Sequence, residues 1–163
     1  MSGSRKLLII GGVALAIFGM LYGLHYALFI EHQTLDGMGV SLTSAFVAAS
    51  QRNVGDVHSA IQAYGETRYK YIRQVDAHSH WIGLAMLMIV LGAVFDRVRF
   101  SERARRWIAI GLLVGSILFP FGVLVQTATH GGWFASGLAV VGSALVTLAL
   151  GATAVGFVRQ QQP

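Results

Sequence analysis

Four long stretches of this sequence, residues 7–30, 77–95, 107–127 and 133–158, contain no Lys, Arg, Asp or Glu. A helix needs roughly 20 predominantly apolar residues to cross a hydrocarbon core about 30 Å thick. The four stretches have about that length, and they lack the regular alternation of apolar and polar residues found in transmembrane barrel strands. The sequence therefore predicts an all-α integral membrane protein, folded as one four-helix bundle whose spans are these stretches.

The composition supports the same class of protein. Only 12% of the residues are charged, whereas a soluble domain carries about 25%. Much of the surface is therefore expected to face the lipid bilayer. The first stretch follows Arg5 and Lys6, as the apolar part of a signal peptide would, but it is longer than the usual run of about 7–15 residues. We therefore expect it to remain in the protein as the first span.

Basic residues are distributed unequally between the segments that join the spans. The N-terminal tail, the 96–106 loop and the C-terminal tail carry eight cations against two carboxylates, whereas segment 31–76 carries four cations against five. The positive-inside rule then predicts an inner-membrane protein with both termini in the cytoplasm and 31–76 on the exoplasmic side. The cations lie in short segments next to the membrane, so they indicate topology and not binding of nucleic acid.

Segment 31–76 is expected to fold as helix. Apolar residues recur at near-helical spacing between residues 54 and 75, and Asn53 is a candidate N-cap. The predicted amphipathic helix either lies near the membrane surface or runs directly into the second span. A shorter helix over residues 41–50 is predicted after a break at Gly37–Gly39, so the helical segment as a whole covers about 38–76.

Small residues indicate close helix packing. Gly19 and Gly23 form a GxxxG step in the first span, and Gly111 and Gly115 form another in the third. Such steps allow membrane helices to approach closely. They are compatible with a tight four-helix bundle, with a homo-oligomer or with a larger membrane complex. Pro120 is expected to kink the third span.

All six histidines fall in the exoplasmic half of the predicted topology. Ionisable side chains at membrane depth are costly and by default mark a functional site. We therefore take His25, His78, His80 and His130 as candidate cofactor ligands, and we add His32 for a metal ion. His78 and His80 are two residues apart, which on a helix is about 200° of rotation, so the two rings should point to nearly opposite sides.

The segment from His78 to Gly83, His-Ser-His-Trp-Ile-Gly, opens an apolar helix. It resembles the H-x-H helix of haem–copper oxidase catalytic subunits, in which the two histidines ligate two haems on opposite sides of the helix. It is also similar to the H-x-H span of small membrane proteins related to that superfamily and to nitric-oxide-response membrane proteins. The resemblance covers about 15 residues and implies axial ligation by His78 and His80. It does not extend to the family's adjacent His pair for copper or to its roughly twelve spans, so oxygen reduction is not implied.

Haem b is the first cofactor that these features predict, because bis-imidazole ligation inside an apolar bundle suits haem. A Cu or Zn ion bound by three histidines is the second. In the third interpretation there is no cofactor, and the histidines lie at the membrane interface. The predicted function is electron transfer or redox or gas sensing; the alternative is a non-catalytic accessory or assembly subunit of a larger membrane complex. No nucleophile–base set, phosphate-binding loop or dinucleotide fingerprint occurs, so the sequence identifies no catalytic residue.

Overall fold

The computed structural model describes residues 2–159, which form five α-helices and one 3₁₀ turn. Helices α1, α4, α5 and α3 with the 3₁₀ turn are long and apolar enough to cross a membrane. This confirms the prediction of an all-α chain with four candidate spans. The helices are α1 (Gly3–Phe29), α2 (Glu31–Ser50), α3 (Val54–Val94), α4 (Glu102–Thr129) and α5 (Trp133–Val158), and the turn is Phe95–Arg97.

Three helices begin at side chains that accept a backbone N–H. Ser2 accepts from Arg5 at α1, and Ser101 accepts from Ala104 at α4. Asn53 accepts from Asp56 at α3, which confirms the predicted N-cap. An N-terminal turn has backbone donors with no partner inside the helix, and these side chains satisfy one of them each.

Helix α3 presents one continuous buried or half-buried seam along its length. The seam residues are spaced alternately three and four apart, which is the 3.5-residue period of a coiled coil. The polar N-terminal part of α3 therefore continues into the apolar span without a break, and the amphipathic helix runs directly into the second span. The seam consists of Val57, Ala60, Tyr64, Thr67, Tyr71, Gln74, His78, Trp81, Ala85, Met88, Gly92 and Phe95.

Glycines bring α1 and α3 together. A Cβ atom built on Gly12 would lie 2.9 Å from the carbonyl oxygen of Ala85, and one on Gly19 would lie 3.2 Å from Cβ of Trp81. Both distances are too short for an alanine to be accepted without movement. The predicted Gly19–Gly23 step is thus confirmed as a packing site.

Glycines also set the contact between α4 and α5. A Cβ atom on Gly122 would lie 2.5 Å from the backbone nitrogen of Ala139, and one on Gly142 would overlap the backbone of Phe119. Gly115 lies equally close to α5, whereas Gly111 makes only an ordinary contact, 3.8 Å, with Ala149. Of the two glycines in the predicted Gly111–Gly115 step, only Gly115 therefore lies at a close contact between α4 and α5.

Helix α2 corrects one prediction. Helix is continuous from Glu31 to Ser50, so the predicted break at Gly37–Gly39 is wrong. A glycine inside a helix costs only about 1 kcal/mol relative to alanine. Here α2 packs along α3, and Ser41 donates its hydroxyl proton to the carbonyl of Gly37. Packing therefore overrides the local preference.

Helix α2 and the N-terminal part of α3 extend beyond the other helices. Tyr69 of α3 lies at the level of the α4–α5 turn, because its ring stacks on His130. Residues 54–68 of α3 continue past this level for about 22 Å at 1.5 Å per residue, with α2 packed alongside them. We call α2 together with residues 54–68 the stalk.

A polar cluster closes the opposite end of the bundle. The carboxylate of Glu102 accepts the backbone N–H of Ser4 at 3.0 Å and pairs with Arg105 at 2.7 Å. Asp96 pairs with Arg5 at 3.2 Å. These contacts fasten the start of α1 to the connection between α3 and α4.

Candidate histidine site

His78 lies on the seam of α3 and faces α1. Its Nδ1 is 3.0 Å from the carbonyl oxygen of Gly19. A carbonyl oxygen only accepts hydrogen bonds, so Nδ1 carries the proton and Nε2 of the neutral ring is unprotonated. The ring fills the space above Gly23, where a Cβ atom would overlap it. The imidazole of His78 is therefore held between two helices.

His80 faces the other neighbour of α3. Its Nδ1 donates to the carbonyl oxygen of Asp76, one turn earlier, at 2.6 Å. Its ring packs edge-on against Phe119 of α4, with the centroids 4.6 Å apart and the planes at 83°. The two histidines thus contact different helices, as two residues of spacing on a helix predicts.

A shallow groove opens beside His80. It has a volume of about 250 Å³ and is lined by Ser79, His80, Gly83 and Leu84. No atom of the chain lies within 4 Å of the position that a Cβ on Gly83 would occupy. The half-buried ring of His80 is therefore accessible from the surface of α3, beside Gly83, which carries no side chain.

The other candidate ligands lie elsewhere. His25 is exposed on α1, with its ring centroid 5.3 Å from that of Phe29. His32 is 87% exposed and pairs with Asp36 on α2. Neither side chain faces the seam that holds His78.

His130 ends α4 in the left-handed conformation, with φ of 48°. Its ring stacks on Tyr69 of α3, with centroids 6.3 Å apart and planes at 7°. The guanidinium of Arg73 lies 5.3 Å from the same tyrosine ring. His130 thus packs the α4–α5 turn against α3.

These positions do not form one common metal site. Among residues 2–159, no group of three or more His, Asp or Glu side chains is placed to hold one metal ion. A Cu or Zn site with the predicted histidines would need a ligand from outside this arrangement. The two imidazole rings of the H-x-H segment point to different helices, His78 to α1 and His80 to α4.

Trp81 and Gly83 belong to the H-x-H segment but were not predicted as parts of a site. Trp81 is only 2% exposed and packs edge-on against Phe18 and Tyr22. It is buried because it falls on the 3.5-residue seam of α3. The spacing of residues 74, 78, 81 and 85, alternately four and three, is the signal in the sequence that places Trp81 on this seam.

Comparisons of the chain with protein-family models, with curated proteins and with solved structures find no match.

Proposed function

We propose that this chain is a membrane haem protein in which His80 is the one axial ligand supplied by the chain. The observation that carries the proposal is the hydrogen bond from Nδ1 of His80 to the carbonyl of Asp76. A histidine that ligates a metal typically donates its other ring proton to a carbonyl or carboxylate, which fixes the tautomer and orients the ring. In His80 this leaves the lone pair of Nε2 for a ligand.

The surroundings of His80 support haem in preference to a bare ion. The groove beside it is lined mainly by apolar atoms and carries no carboxylate, and Gly83 leaves its floor open. A flat apolar macrocycle suits such a surface, whereas Cu or Zn needs further nitrogen or carboxylate ligands. His78 is the weaker candidate, because its ring fills the contact between α1 and α3.

The number of ligands bears on the kind of function. No second histidine of the described chain opposes His80 across the groove, so the residues fit haem with one protein ligand better than the predicted bis-histidine pair. Haem held by one histidine keeps an open position for a small molecule. Binding of a diatomic gas, or redox sensing, is therefore better supported than simple electron transfer.

We further infer that the stalk is exoplasmic and that both termini are cytoplasmic, in the inner membrane. The support is the excess of Arg and Lys in the N-terminal tail and in the connection between α3 and α4. The stalk carries Asp56, Glu66 and Arg68, and charges of this kind are too costly for the hydrocarbon core.

The test is the visible spectrum of the protein, purified in mild detergent from cells supplied with ample haem. We expect a Soret band, and α and β bands after reduction with dithionite. His80→Ala should abolish these bands, while His58→Ala, which alters an exposed stalk residue, should leave them unchanged. A featureless spectrum of the wild-type protein, or retention of the bands by His80→Ala, would contradict the proposal.

A second candidate function is that of an accessory or assembly subunit of a larger membrane complex. It is favoured because His25, His32 and His58 are exposed and lie apart from the H-x-H segment. A featureless spectrum together with native migration as part of a larger complex of several proteins would support this function over the first.

A further inference from the structure

A cleft opens between α1 and α4 in the apolar part of the bundle. It has a volume of about 450 Å³, and the buried Trp81 of α3 forms part of its wall. Phe18 of α1 and Ile117 and Phe121 of α4 are about half exposed beside it. Every side chain that lines this cleft is aliphatic or aromatic. We call it the apolar cleft.

In a bilayer the apolar cleft requires an apolar occupant. A void beside apolar side chains forfeits their dispersion contacts, and water fills a cavity only where it finds polar partners. The acyl chains of lipids are the mobile apolar material that surrounds a membrane span. An acyl chain therefore fits the cleft, and the polar groups closest to the cleft determine which lipid is preferred.

A polar groove lies at the membrane boundary of α4. It has a volume of about 390 Å³ and is lined by Glu102, Arg103, Arg106, Trp107 and Ile110. The charge-free stretch of α4 begins at Trp107, so the two arginines lie at the level of lipid headgroups. Trp107 is 66% exposed, which suits an aromatic ring at the membrane interface. We call this the basic groove.

The basic groove presents positive charge that the chain does not neutralise. Arg103 and Arg106 are exposed, and within residues 2–159 neither forms an ion pair. The carboxylate of Glu102 is already compensated, because it pairs with Arg105 at 2.7 Å. A guanidinium group matches the geometry of a phosphate. The groove is therefore suited to an anionic phosphate group.

The basic groove and the apolar cleft lie on one face of α4. Residues of this face follow one another at spacings of three or four, which places them in line along the helix. They are Arg103, Arg106, Ile110, Leu113, Ile117 and Phe121.

Helix α1 borders both ends of this line. A Cβ atom on Gly3 would lie 3.3 Å from Nη2 of Arg106, and one on Gly11 would lie 2.9 Å from Cδ1 of Leu113. From Arg106 to Leu113, where the cleft begins, the distance along the helix is about 10 Å. The headgroup layer of a bilayer is about 5–8 Å thick on each side. A lipid with its phosphate at Arg106 therefore has its acyl chains at the level of the cleft.

We propose that the surface between α1 and α4 binds an anionic phospholipid, with its phosphate at Arg103 and Arg106 and an acyl chain in the apolar cleft. Basic pockets beside membrane helices bind anionic headgroups in this way. Free phosphate would occupy only the basic groove, and an uncharged hydrocarbon would occupy only the cleft. A zwitterionic lipid adds a cation next to the two arginines and is less favourable. The groove beside His80 shares no residue with this site.

The test is native mass spectrometry of the full chain in detergent, titrated with phosphatidylglycerol or with phosphatidylcholine of identical acyl chains. We expect phosphatidylglycerol to bind roughly tenfold more tightly, because each basic residue at a membrane surface attracts anionic lipid. The double variant Arg103→Gln, Arg106→Gln should lose this preference. Arg99→Gln is the control, because Arg99 is exposed on the same connection and does not line the groove.

A second pair of variants tests the apolar cleft. Ala14 is exposed and lines the cleft, so Ala14→Leu should fill part of it and lower the affinity for both lipids several-fold. Val13→Leu changes the adjacent exposed residue, which does not line the cleft, and should leave both affinities unchanged. Glycerol phosphate carries the anionic group without acyl chains, and it should not displace the lipid at equal concentration.

Three results would overturn the proposal. They are equal affinity of the wild-type chain for the two lipids, an unchanged preference in the double arginine variant, and unchanged binding in Ala14→Leu. Displacement of the lipid by glycerol phosphate would also contradict it, since the site would then bind a free anion. The visible spectrum reports haem separately, so failure of either proposal is distinguishable from failure of the other.

Discussion

Nδ1 of His78 donates a hydrogen bond to the carbonyl oxygen of Gly19, 3.0 Å away, and so joins α3 to the backbone of α1 in the apolar part of the bundle. We expect His78→Phe to keep most of the ring volume but to lose this bond. Hydrogen bonds between membrane helices contribute about 0.6 kcal/mol on average and up to about 1.7 kcal/mol. The free energy of unfolding in detergent should fall by about 1 kcal/mol, and His58→Phe on the stalk should have no such effect. An unchanged value for His78→Phe would show that the bond does not stabilise the bundle.

Gly23 is the position at which the His78 ring leaves no room for a side chain. Its Cβ would overlap the ring, and it would lie 2.7 Å from Nδ1. Gly23→Ala should therefore displace His78 and destabilise the protein by about 1–3 kcal/mol, the usual cost of overpacking. Gly137→Ala is the control, because no atom lies within 4 Å of the added methyl group. Equal thermal stability of the two variants would contradict the packing described for α1 and α3.

Gly142 tests the contact between α4 and α5. A methyl group there meets the backbone of Phe119, which cannot move aside as a flexible side chain can. Gly142→Ala should be more damaging than Gly23→Ala, and thermal unfolding would show a lower midpoint. Gly151→Ala lies on the same helix with open space around it and should be neutral or slightly stabilising, because alanine is the better helix former. The prediction fails if both variants unfold at the same temperature.

Glu102 joins the start of α1 to the start of α4. Replacing it with Gln removes the charge that pairs with Arg105 and weakens the acceptor for the N–H of Ser4. Glu102→Gln should lower the unfolding midpoint, and high salt should narrow the difference because the pair is partly exposed. Glu66→Gln serves as the control, because the Glu66 carboxylate accepts a hydrogen bond from Gln62 within the exposed stalk surface and joins no two helices.

The proposed orientation is testable with single cysteines, because the chain itself contains none. A membrane-impermeant maleimide should label Ser59→Cys on intact cells, because the stalk is proposed to be exoplasmic. It should label Arg103→Cys only after the cells are permeabilised. The reverse pattern would place the stalk in the cytoplasm and would invert the inference from the basic residues.

The spans were predictable because their signal is local in the sequence. A run of apolar residues long enough to cross a bilayer can satisfy its backbone only as helix, and the last span has the predicted bounds, Trp133–Val158. The cap at Asn53 followed from the same kind of local chemistry. The continuity of α2 through Gly37 and Gly39 was missed because it depends on packing against α3.

The candidate site was only partly predictable. Two residues of spacing on a helix placed His78 and His80 on different sides, and the structure directs them to α1 and α4. The positions of His25 and His130 depend on how each helix is rotated about its axis in the bundle. Sequence spacing within one helix carries no information on rotation relative to another, so their separation from the H-x-H segment could not be foreseen.

Helix α3 is unbroken from Val54 to Val94, so the stalk and the H-x-H segment share one backbone. A rotation of the stalk part of α3 about the helix axis would turn His78 and His80 as well, because the helix has no break between that part and the two histidines. Such a turn strains the bond from His78 to Gly19 on one side and the contact of His80 with Phe119 on the other. The continuous helix α3 therefore couples the position of its N-terminal part to two contacts that lie on different sides of the bundle.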